Sequence, residues 1–575
     1  MIFYDFEVFK HDWLVVMLNM KDREEKVIVN DREKLESYYS ENKGEIWVGF
    51  NSRHYDQYIF KAILAGFDPK EINDWIIVDG KDGWQFSDLL RRFPLNNYDV
   101  MSNIDRGLKT FEGFMGNDIR ESSVPFDIDR PLTEDEIAET IKYCRHDVEQ
   151  TVEVFIRRKS DFEAQMGLIQ MFHMPLSNIS KTKVQLSAEI LEARRPIKPY
   201  NDEFDISFPP TLEVKKYRHV VEWYENPENR CYEYVTDKGT VKKRQLETLV
   251  AGVPTVFGWG GVHGAREQYS GEGYFINMDV ASLYPSLMIQ YNLHSRSCNP
   301  EKFNDIVKTR LKLKAEKNPL QAPLKIVING TYGAMKDKHN PLYDPRQANN
   351  VCVYGQLLLL DLMEHLEVVP GLQIIQSNTD GVLVKIARYE DYDIVDDICF
   401  EWERRTGLKL EFDEYARVYQ KDVNNYVIVD IEGHFKSKGA YVKKLSDLDY
   451  DLPIVNRAVV DFMVQGIPVE TTIFGCNDLK EFQQVKKISN KYRYILHGQT
   501  ILKEKCVRCF ASKVESDCGL FKVHNATGRT AKVEGTPSHA FLWNDSVEGV
   551  KCPRKLDKQW YINVALERLK GFGVK

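Results

Sequence analysis

Two carboxylates lie where a predicted strand gives way to a turn. Asp279 comes near the end of the apolar, β-favouring run 274–280, and Pro285 follows in the first turn of a predicted helix, where its missing N–H costs nothing. Asp380 lies at the tip of a predicted hairpin over 374–384. Such a pair can hold two Mg²⁺ ions about 3.5–4 Å apart, which would activate an attacking hydroxyl and stabilise a leaving pyrophosphate. Taken alone, Asp279 could equally cap a strand-to-helix turn.

Polar residues on two predicted helices lie between these carboxylates in the sequence. The helices flank a turn at Asn318-Pro319, and Arg310 and Lys314 are spaced i, i+4 on the first of them. Lys325 and Asn329 have the same spacing on the second, so each pair shares one helix face. Three cations facing an incoming triphosphate would balance its charge. The alternative is a solvated basic face, which is the usual role of such a run.

Four further acids come from three separate N-terminal segments. Asp5 and Glu7 lie two residues apart in a predicted strand and therefore on one face. Asp56 follows a predicted strand end, and Asp147 lies four residues after Tyr143 on a helix that opens with a capping box. Each pair alone is typical of a solvated surface, but four carboxylates from three elements predict a second two-metal site.

These residues resemble the motifs of family B DNA polymerases. Residues 279–286 resemble motif A, 325–333 motif B and 378–380 motif C, and the N-terminal acids resemble the three motifs of proofreading exonucleases in the right order. The resemblance covers residues 1–445 by motif. It implies template-directed DNA synthesis by two-metal nucleotidyl transfer to a primer 3′-hydroxyl, with 3′→5′ exonuclease proofreading.

The resemblance also implies roles for individual residues. The expected catalytic residues are Asp279, Asp380 and Lys325 for synthesis and Asp5, Glu7, Asp56, Tyr143 and Asp147 for the exonuclease. The expected metal ligands are Asp279, Val280, Asp380, Asp5, Glu7, Asp56 and Asp147. The expected nucleotide-binding residues are Ser282, Leu283, Tyr284, Arg310, Lys314, Lys325 and Asn329. Tyr284 would stack under the deoxyribose and exclude a 2′-hydroxyl, Lys325 could protonate the leaving pyrophosphate, and Tyr143 would orient the attacking water.

Two segments resemble primer–template contacts of the same family. The residues concerned are Trp259, Gly260 and Gly261 in the first segment and Lys436, Lys438, Gly439 and Tyr441 in a basic strand predicted over 436–444. Adjacent glycines allow close approach of a partner to the backbone, although Trp259 could equally be a core aromatic. Basic residues further on, including Lys486 and Arg508, are expected to contact phosphates.

The chain departs from the family pattern at two positions of these motifs. Asn378 replaces the first acid of motif C, and Gly330 replaces a serine of motif B. We expect activity to survive, because Asp380 is the acid expected to bind metal and Asn378 can still form hydrogen bonds. Metal affinity is expected to be lower with one charge fewer.

The predicted fold is an α/β and α+β multidomain protein, in which an RNase H-like exonuclease domain precedes a right-hand polymerase. The predicted parts are an exonuclease domain (1–160), a connector with the first part of the palm and motif A (161–296), two-helix fingers with motif B (297–336), the second part of the palm with motif C (337–430) and a thumb or C-terminal DNA-binding region (431–575).

Composition limits the setting in which this chain works. No apolar run is long enough to span a membrane and no signal peptide is evident, so we expect a cytoplasmic protein, in a bacterial host if phage-encoded. The net charge of −8 argues against nucleic-acid binding but leaves room for local basic patches. Ten scattered cysteines suit a reducing compartment, and Cys506 and Cys509 are more typical of buried thiols than of a zinc site.

The expected function is therefore a compact, phage-type replicative DNA polymerase, and two rivals stay open. The expected cofactor is Mg²⁺, with Mn²⁺ as a substitute, at two ions per active site. The expected partners are primer–template DNA, a single-stranded 3′ end and dNTPs, with a helicase, single-strand-binding protein or clamp as accessory proteins and a monomeric chain. The rivals are a DNA exonuclease with a degenerate polymerase half and a non-catalytic DNA-binding scaffold.

Overall fold

The computed structural model describes residues 1–101, 106–198, 200–502 and 504–574. These residues form two compact units, and each unit is made of several chain segments. Unit 1 comprises residues 1–182, 445–454 and 476–561, and unit 2 comprises residues 183–444, 455–475 and 562–575. The mixture of helices and sheets in these units confirms the predicted α/β multidomain fold class. The predicted names for the parts of the chain remain a proposal.

The described residues contain the following β strands. They are β1 (Ile2–Val8), β2 (Trp13–Asn19), β3 (Glu24–Val29), β4 (Trp47–Gly49), β5 (Asn97–Asp99), β6 (Glu233–Val235), β7 (Val241–Lys243), β8 (Gln245–Val250), β9 (Val253–Gly258), β10 (His263–Ala265), β11 (Tyr269–Val280), β12 (Gln373–Asn378), β13 (Gly381–Ile386), β14 (Leu410–Asp422), β15 (Asn425–Val429), β16 (Phe435–Lys438), β17 (Gln484–Lys487), β18 (Tyr492–His497), β19 (Thr500–Leu502), β20 (Cys506–Ala511), β21 (Leu520–His524), β22 (Thr530–Lys532) and β23 (Ala540–Leu542).

The α helices of the same residues follow in chain order. They are α1 (Arg32–Asn42), α2 (Asp56–Ala65), α3 (Pro69–Ile77), α4 (Asp88–Arg92), α5 (Leu108–Met115), α6 (Glu134–Arg157), α7 (Lys159–Met171), α8 (Lys183–Ile190), α9 (Arg218–Glu225), α10 (Leu283–Gln290), α11 (Pro300–Ala315), α12 (Gln321–Lys336), α13 (Pro345–Leu366), α14 (Tyr392–Thr406), α15 (Pro453–Gln465), α16 (Val469–Gly475) and α17 (Lys558–Gly571). Among these described helices, none combines the length and the apolar character that crossing a membrane requires.

Unit 1 is built on a five-stranded mixed sheet with the order β3-β2-β1-β4-β5. β1, the predicted strand with Asp5 and Glu7, pairs antiparallel with β2 and parallel with β4. Phe3 and Tyr4 point to opposite faces of β1, because successive side chains of a strand alternate. Both side chains are buried, so the sheet is covered on both sides. The RNase H-like character expected of this part of the chain stays a prediction.

Residues 476–561 add two smaller sheets to unit 1, with the orders β17-β20-β23 and β19-β18-β21-β22. Val485 of β17 and Cys506 of β20 are buried in one hydrophobic cluster with Phe3 and Val48. The range 431–575, predicted as a single thumb region, therefore divides between the two units. Sequence patterns did not indicate this division, because it depends on packing between residues that are more than 400 positions apart.

Unit 2 is organised around a nine-stranded antiparallel sheet with the order β16-β15-β14-β11-β13-β12-β10-β9-β8. β11 lies in its middle, between β13 and β14. The predicted hairpin is confirmed, since β12 and β13 pair with Asn378 opposite Gly381. α13 is buried along most of its length, and the indole N–H of Trp402 on α14 donates to Leu358 O at 2.9 Å. α13 also contacts β13, the strand that follows the turn with Asp380.

The two helices predicted between motifs A and B are present as α11 and α12, which contact each other. α8 also packs against α12, and it does so at one of the departures from the family pattern. A Cβ atom added to Gly330 would lie 3.2 Å from Ser187 Oγ, which is tighter than ordinary contact. The close approach of α8 therefore gives a packing reason for glycine at this position.

Candidate active sites

The first site, in unit 2, begins with one carboxylate on β11 and one in the turn between β12 and β13. Asp279 lies opposite Gly381 in the β11–β13 pair, and the Val280 N–H donates to the backbone oxygen of Asp380 at 2.7 Å. A Cβ added to Gly381 would lie 1.9 Å from Asp279 Oδ1, so glycine is required beside this carboxylate. Burial, and then the charge of Asp380, raise the pKa of Asp279. Mutual repulsion of two acids in one place is the condition that a divalent cation relieves.

A cavity of about 230 Å³ opens beside these two carboxylates. Asn378 lines it, and its Oδ1 accepts a hydrogen bond from the Thr379 N–H at 2.9 Å. Lys436 also lines it and forms an ion pair with Asp413 at 2.7 Å. The donor set of carboxylate and amide oxygens suits a hard cation such as Mg²⁺. Asn378 therefore keeps the polar character of its position but supplies no charge.

Tyr284 of motif A and Tyr332 of motif B lie against each other. Their ring centroids are 4.3 Å apart, and the Tyr332 hydroxyl forms a hydrogen bond with the Cys352 thiol. Burial raises the pKa of both tyrosine hydroxyls, so both stay protonated at neutral pH. Ser282, just before α10, has φ 50°, a left-handed conformation that sharpens the turn between β11 and the helix. The predicted strand-turn-helix around motif A is therefore present.

The predicted nucleotide-binding residues of the fingers lie on α11 and α12. Within the described part of the chain, Arg310, Lys314 and Lys325 form no ion pair. Lys314, Lys325 and Asn329 are exposed, and the partly buried Arg310 has an Nε without a hydrogen-bond partner. Three cations without a protein counter-charge could accept an anionic ligand. That they act together with Asp279 and Asp380 on one nucleotide remains a prediction.

Trp259 has a different position from the one expected of a DNA contact. Its side chain is 8% exposed, and its indole N–H donates to Asn229 O at 3.0 Å. The ring packs edge-on against Phe204 and Tyr224, with centroid distances of 4.8 and 5.6 Å. The alternative interpretation as a core aromatic is therefore favoured, because the indole has neither a free face nor a free donor.

The glycines after Trp259 approach motif C. A Cβ added to Gly261 would lie 2.5 Å from Thr379 Oγ1, whereas one added to Gly260 would meet no atom within 4 Å. His263 connects the same two segments, since its ring nitrogens lie 2.9 Å from Gly261 O and 3.4 Å from Thr379 Oγ1. Gly261 is thus needed for packing, and Gly260 leaves its backbone open.

The predicted basic strand is shorter than expected, because β16 ends at Lys438. Gly439 follows with φ +104°, and a Cβ there would lie 2.6 Å from Asn424 O. A residue with a side chain could not make this bend, which ends the strand. Tyr441 lies beyond the bend, with the cations of Lys421 and Arg568 at 4.8 and 4.6 Å from its ring centroid.

The second site, in unit 1, contains the four predicted exonuclease carboxylates. Asp5 and Glu7 lie on β1, Asp56 begins α2 and Asp147 lies on α6, and Asp56 Oδ1 accepts the Phe6 N–H at 3.2 Å. Burial is the first cause that raises the pKa of Asp5, Glu7 and Asp147, and it raises that of Asp56 to about 7. Charges of other acids in the set raise the pKa values of Asp5, Glu7 and Asp56 further, whereas at Asp147 the cation of Lys109 opposes the rise and the charge of Glu112 adds to it. Three buried carboxylates, with the partly buried Asp5 beside them, suit a site for divalent cations.

Lys109 is a residue of this site to which the sequence motifs gave no role. Its ammonium lies 2.5 Å from Asp147 and 3.0 Å from Glu112, and 4.6 Å from the centroid of the Tyr143 ring. Asp147 and Tyr143 also share one helix face, as predicted. The i, i+3 spacing of Lys109 and Glu112 could have predicted the ion pair between these two residues. Local spacing does not predict the contact of Lys109 with Asp147, which lies 38 residues later on another helix.

Cys144 and the two cysteines of β20 are buried thiols. Cys144 lies near Asp5 and Glu7, yet burial raises its thiol pKa well above the usual range. Cys506 and Cys509 are fully buried in β20, and burial raises the pKa of each to about 12. Within the described residues, neither belongs to a group of three ligands that could hold a metal. This supports the interpretation as buried thiols.

Arg508, between these two cysteines, cannot reach a phosphate. It is fully buried, and its guanidinium donates to the carbonyl oxygens of Gly113, Asn117 and Asp545 at 3.0, 2.7 and 2.7 Å and of Trp543 at 3.3 Å. The predicted phosphate contact at this residue is therefore replaced by a structural role within unit 1.

Comparison with known proteins gives relatives over part of the chain. No family model matches it. DNA polymerase 1 from Aeropyrum pernix is 24% identical over 223 residues, which are 32% of this chain and 23% of that protein. DNA polymerase 1 from Sulfurisphaera ohwakuensis is 26% identical over 196 residues, 34% of this chain and 21% of that protein. The DNA polymerase of Pyramimonas orientalis virus is 23% identical over 215 residues, 33% of this chain and 16% of that protein.

The chain thus spans about a fifth of the length of the curated relatives it matches. Among solved structures, the family B DNA polymerase from the hyperthermophilic archaeon Pyrobaculum calidifontis is 14% identical and covers 99% of this chain and 77% of its own, with a TM-score of 0.40. That score is below the level at which a shared fold follows. The sequence relatives are named as DNA polymerases, and motifs A, B and C of this chain resemble those of the family B DNA polymerases.

Proposed function

We propose that this chain is a template-directed DNA polymerase with 3′→5′ exonuclease proofreading, of the compact phage type. The observation that carries the first activity is the pair formed by Asp279 on β11 and Asp380 in the turn before β13, where the charge of Asp380 adds to burial in raising the pKa of Asp279. The names of the sequence relatives support DNA synthesis. The substrates would be a primer–template and dNTPs.

At the polymerase site, the residues of this chain would position the reacting groups. Asp279 and Asp380, with the backbone oxygen of Val280, would hold two Mg²⁺ ions, for which Mn²⁺ could substitute. These ions lower the pKa of a primer hydroxyl and neutralise charge on a triphosphate when they are bound. The unpaired cations of α11 and α12 would hold the triphosphate, and Lys325 would donate a proton to the leaving pyrophosphate.

Tyr284 would form the surface under the sugar of the incoming nucleotide. Its ring is fixed by contact with Tyr332 at 4.3 Å, so it has little freedom to move away from a 2′-hydroxyl. We expect a Tyr284→Ala enzyme to accept ribonucleotides more readily than wild type. Unchanged discrimination between dNTPs and rNTPs would exclude this role.

At the exonuclease site, Asp5, Glu7, Asp56 and Asp147 would hold a second pair of ions, and Tyr143 would orient the attacking water. A single-stranded 3′ end would be the substrate. The protein would work as a monomer in the cytoplasm, in a bacterial host if phage-encoded, with a helicase, single-strand-binding protein or clamp as accessory factors.

The experiment that tests both activities is extension of a labelled, annealed DNA primer with Mg²⁺, with and without dNTPs. We expect wild type to extend, Asp380→Asn only to degrade and Asp5→Asn only to extend. Asp396→Asn and Asp127→Asn are matched controls, because both side chains are exposed acids outside the two sites. Retention of both activities by Asp380→Asn and Asp5→Asn would contradict the assignment.

A nuclease with a degenerate polymerase half is the second candidate, and Asn378 is the observation that favours it. The position lines the cavity beside Asp380 but provides no charge. Degradation without extension on any template would select this candidate. Restoration of extension by Asn378→Asp would then locate the defect in motif C.

A further inference from the structure

Cys352 is a buried thiol of α13 that contacts the helix of motif B. Its side chain is 1% exposed, and its sulfur forms a hydrogen bond with the Tyr332 hydroxyl. The ammonium of Lys336 donates to the same sulfur at 3.5 Å. A buried cysteine usually behaves as a small apolar residue. A sulfur that meets both a hydroxyl and a cation is instead a polar anchor inside the core of unit 2.

Lys336 connects this sulfur to a second part of the chain. Its ammonium also donates to Trp259 O at 3.0 Å, and it lies 5.1 Å from the centroid of the Tyr332 ring. Lys336 is the last residue of α12, and Trp259 follows β9 directly. One ammonium therefore joins the end of the motif B helix, the thiol of α13 and the backbone after β9.

The backbone of Cys352 is fixed by the next turn of α13. Gln356 Nε2 donates to Cys352 O at 3.2 Å and to Gly258 O at 2.7 Å. The Gly258 N–H donates in return to Gln356 Oε1 at 3.1 Å. Gln356 is 2% exposed, and hydrogen bonds are stronger where water is excluded. The thiol is therefore presented to Tyr332 from a well-anchored turn of the helix.

Tyr332 connects this anchor to Tyr284. The helices α10, α12 and α13 contact one another, and they carry Tyr284, Tyr332 and Cys352 respectively. The two tyrosine rings lie 4.3 Å apart at an interplanar angle of 44°. Rings this close cannot turn independently, because protein interiors are packed as densely as organic crystals. Fixing the Tyr332 hydroxyl therefore restrains the plane of the Tyr284 ring.

We propose that Cys352 and Lys336 are positioning residues that set the preference for deoxyribonucleotides over ribonucleotides. The inference rests on the proposed polymerase function and on the role proposed there for Tyr284. It adds two residues that lie outside motifs A, B and C. The thiol and the ammonium would hold Tyr332, and Tyr332 would hold the Tyr284 ring where it meets a 2′-hydroxyl. Neither residue would touch the nucleotide.

Two other roles for this cysteine fit its contacts less well. A purely apolar core residue would leave a neighbouring ammonium with one acceptor fewer. Cys399 shows that alternative in the same unit, since it is 1% exposed and its sulfur lies 3.5 Å from Met278 Sδ. A metal ligand would need further donors, and within the described residues Cys352 belongs to no group of three that could hold an ion.

The test compares addition of one dNTP and of the matching rNTP to an annealed primer, as the ratio of the two kcat/KM values. The variants are Cys352→Ala, Cys352→Ser, which keeps a hydrogen-bonding group, and Lys336→Met. Cys399→Ala removes another buried sulfur of unit 2, and Lys338→Met removes an exposed cation two residues after Lys336, so these are the matched controls. All are made in the Asp5→Asn background, so that degradation does not remove the added nucleotide.

We expect Cys352→Ala to lower the dNTP/rNTP ratio roughly tenfold and Lys336→Met about threefold, because Tyr332 loses its anchor. Cys352→Ser and both controls should keep the wild-type ratio. The change should come from faster addition of the rNTP, whereas a general structural defect would slow both nucleotides. Tyr332→Phe should match Cys352→Ala, and combining the two should lower the ratio no further, because both remove the same hydrogen bond.

A second measurement follows the ring of Tyr284 without any nucleotide. A fluorine-labelled tyrosine incorporated at this position gives one ¹⁹F resonance. We expect the resonance to shift and broaden in Cys352→Ala and to match wild type in Cys352→Ser. An unchanged resonance in Cys352→Ala would overturn the inference, and so would a ratio that falls equally in Cys352→Ala and Cys399→Ala.

Failure of the proposed function gives a different result. Wild type would then not extend a primer with dNTPs, and the role in nucleotide selection would fall with it. A wild type that extends, with discrimination that is lost in Tyr284→Ala but kept in Cys352→Ala, would refute only the positioning role.

Discussion

Asp56→Asn changes one atom of the proposed exonuclease site and should make the metal-free protein more stable. Asp56 is 3% exposed, and burial raises its pKa from its ordinary value of 3.8 to about 7. The folded protein therefore binds this proton more tightly than the unfolded chain. As a result, the contribution of Asp56 to the free energy of unfolding falls as pH rises from about 4 through 7. Asparagine removes the charge but keeps the oxygen that accepts the Phe6 N–H.

The magnitude follows from these two pKa values. A carboxyl that titrates at about 7 when folded and 3.8 when unfolded destabilises the protein by about 4 kcal/mol at pH 8 and about 2 kcal/mol at pH 5. In EDTA, we expect the free energy of unfolding of Asp56→Asn to exceed that of wild type by about 4 kcal/mol at pH 8 and by roughly half as much at pH 5. With saturating Mg²⁺ the order should reverse, because only wild type keeps the full set of ligands.

The assay is urea unfolding in EDTA at both pH values, with hydrogen exchange of the β1 amides as the local readout for unit 1. Asp127→Asn is the control, since Asp127 is an exposed acid of the same unit. An Asp56→Asn protein that is less stable than wild type at pH 8, or equally more stable at both pH values, would refute the argument. In that case burial would not raise the pKa of Asp56 as the argument requires.

Three further predictions concern single side chains. Gly439→Ala should destabilise by about 2 kcal/mol more than Gly433→Ala in urea unfolding, because both glycines have positive φ but only Gly439 would clash, at 2.6 Å from a backbone oxygen; equal effects would contradict this. Arg508→Met should cost about 3–5 kcal/mol, because buried carbonyl acceptors lose their donor, and the exposed Arg493→Met should cost little; a loss of DNA affinity by a folded Arg508→Met protein would contradict the structural role. Lys109→Met should lower degradation of single-stranded DNA by roughly 10²-fold, because Asp147 loses the cation that positions it, while primer extension stays unchanged; wild-type degradation would exclude the role.

Local patterns were enough to predict the elements that carry the acids. The apolar run before Asp279, the turn ending in Asp380-Gly381 and the two helices between them are all present in the structure. The strand with Asp5 and Glu7 is also present. Strands and helices are predictable in this way because their side-chain periods of two and 3.6 residues are visible in short stretches of sequence.

The features that sequence patterns missed depend on distant contacts. Trp259 stands beside two glycines, as an exposed contact might, but four aromatic residues from other segments bury its ring. In the sequence, Arg508 is one of several cations in a basic region. In the structure, its guanidinium donates to backbone carbonyl groups of unit 1. The ion pair of Lys109 with Asp147 depends on the packing of α5 against α6, which local sequence patterns do not show.

The division of unit 1 along the chain affects its synthesis. Val485 and Cys506 complete a cluster that contains Phe3 and Val48, and these partners leave the ribosome several hundred residues apart. A nascent N-terminal segment therefore waits with part of its apolar surface uncovered until translation has passed residue 511. For the same reason, a chain truncated after Thr182 would be an aggregation-prone fragment and not a self-sufficient nuclease module, so separating the two activities requires point changes and not truncation.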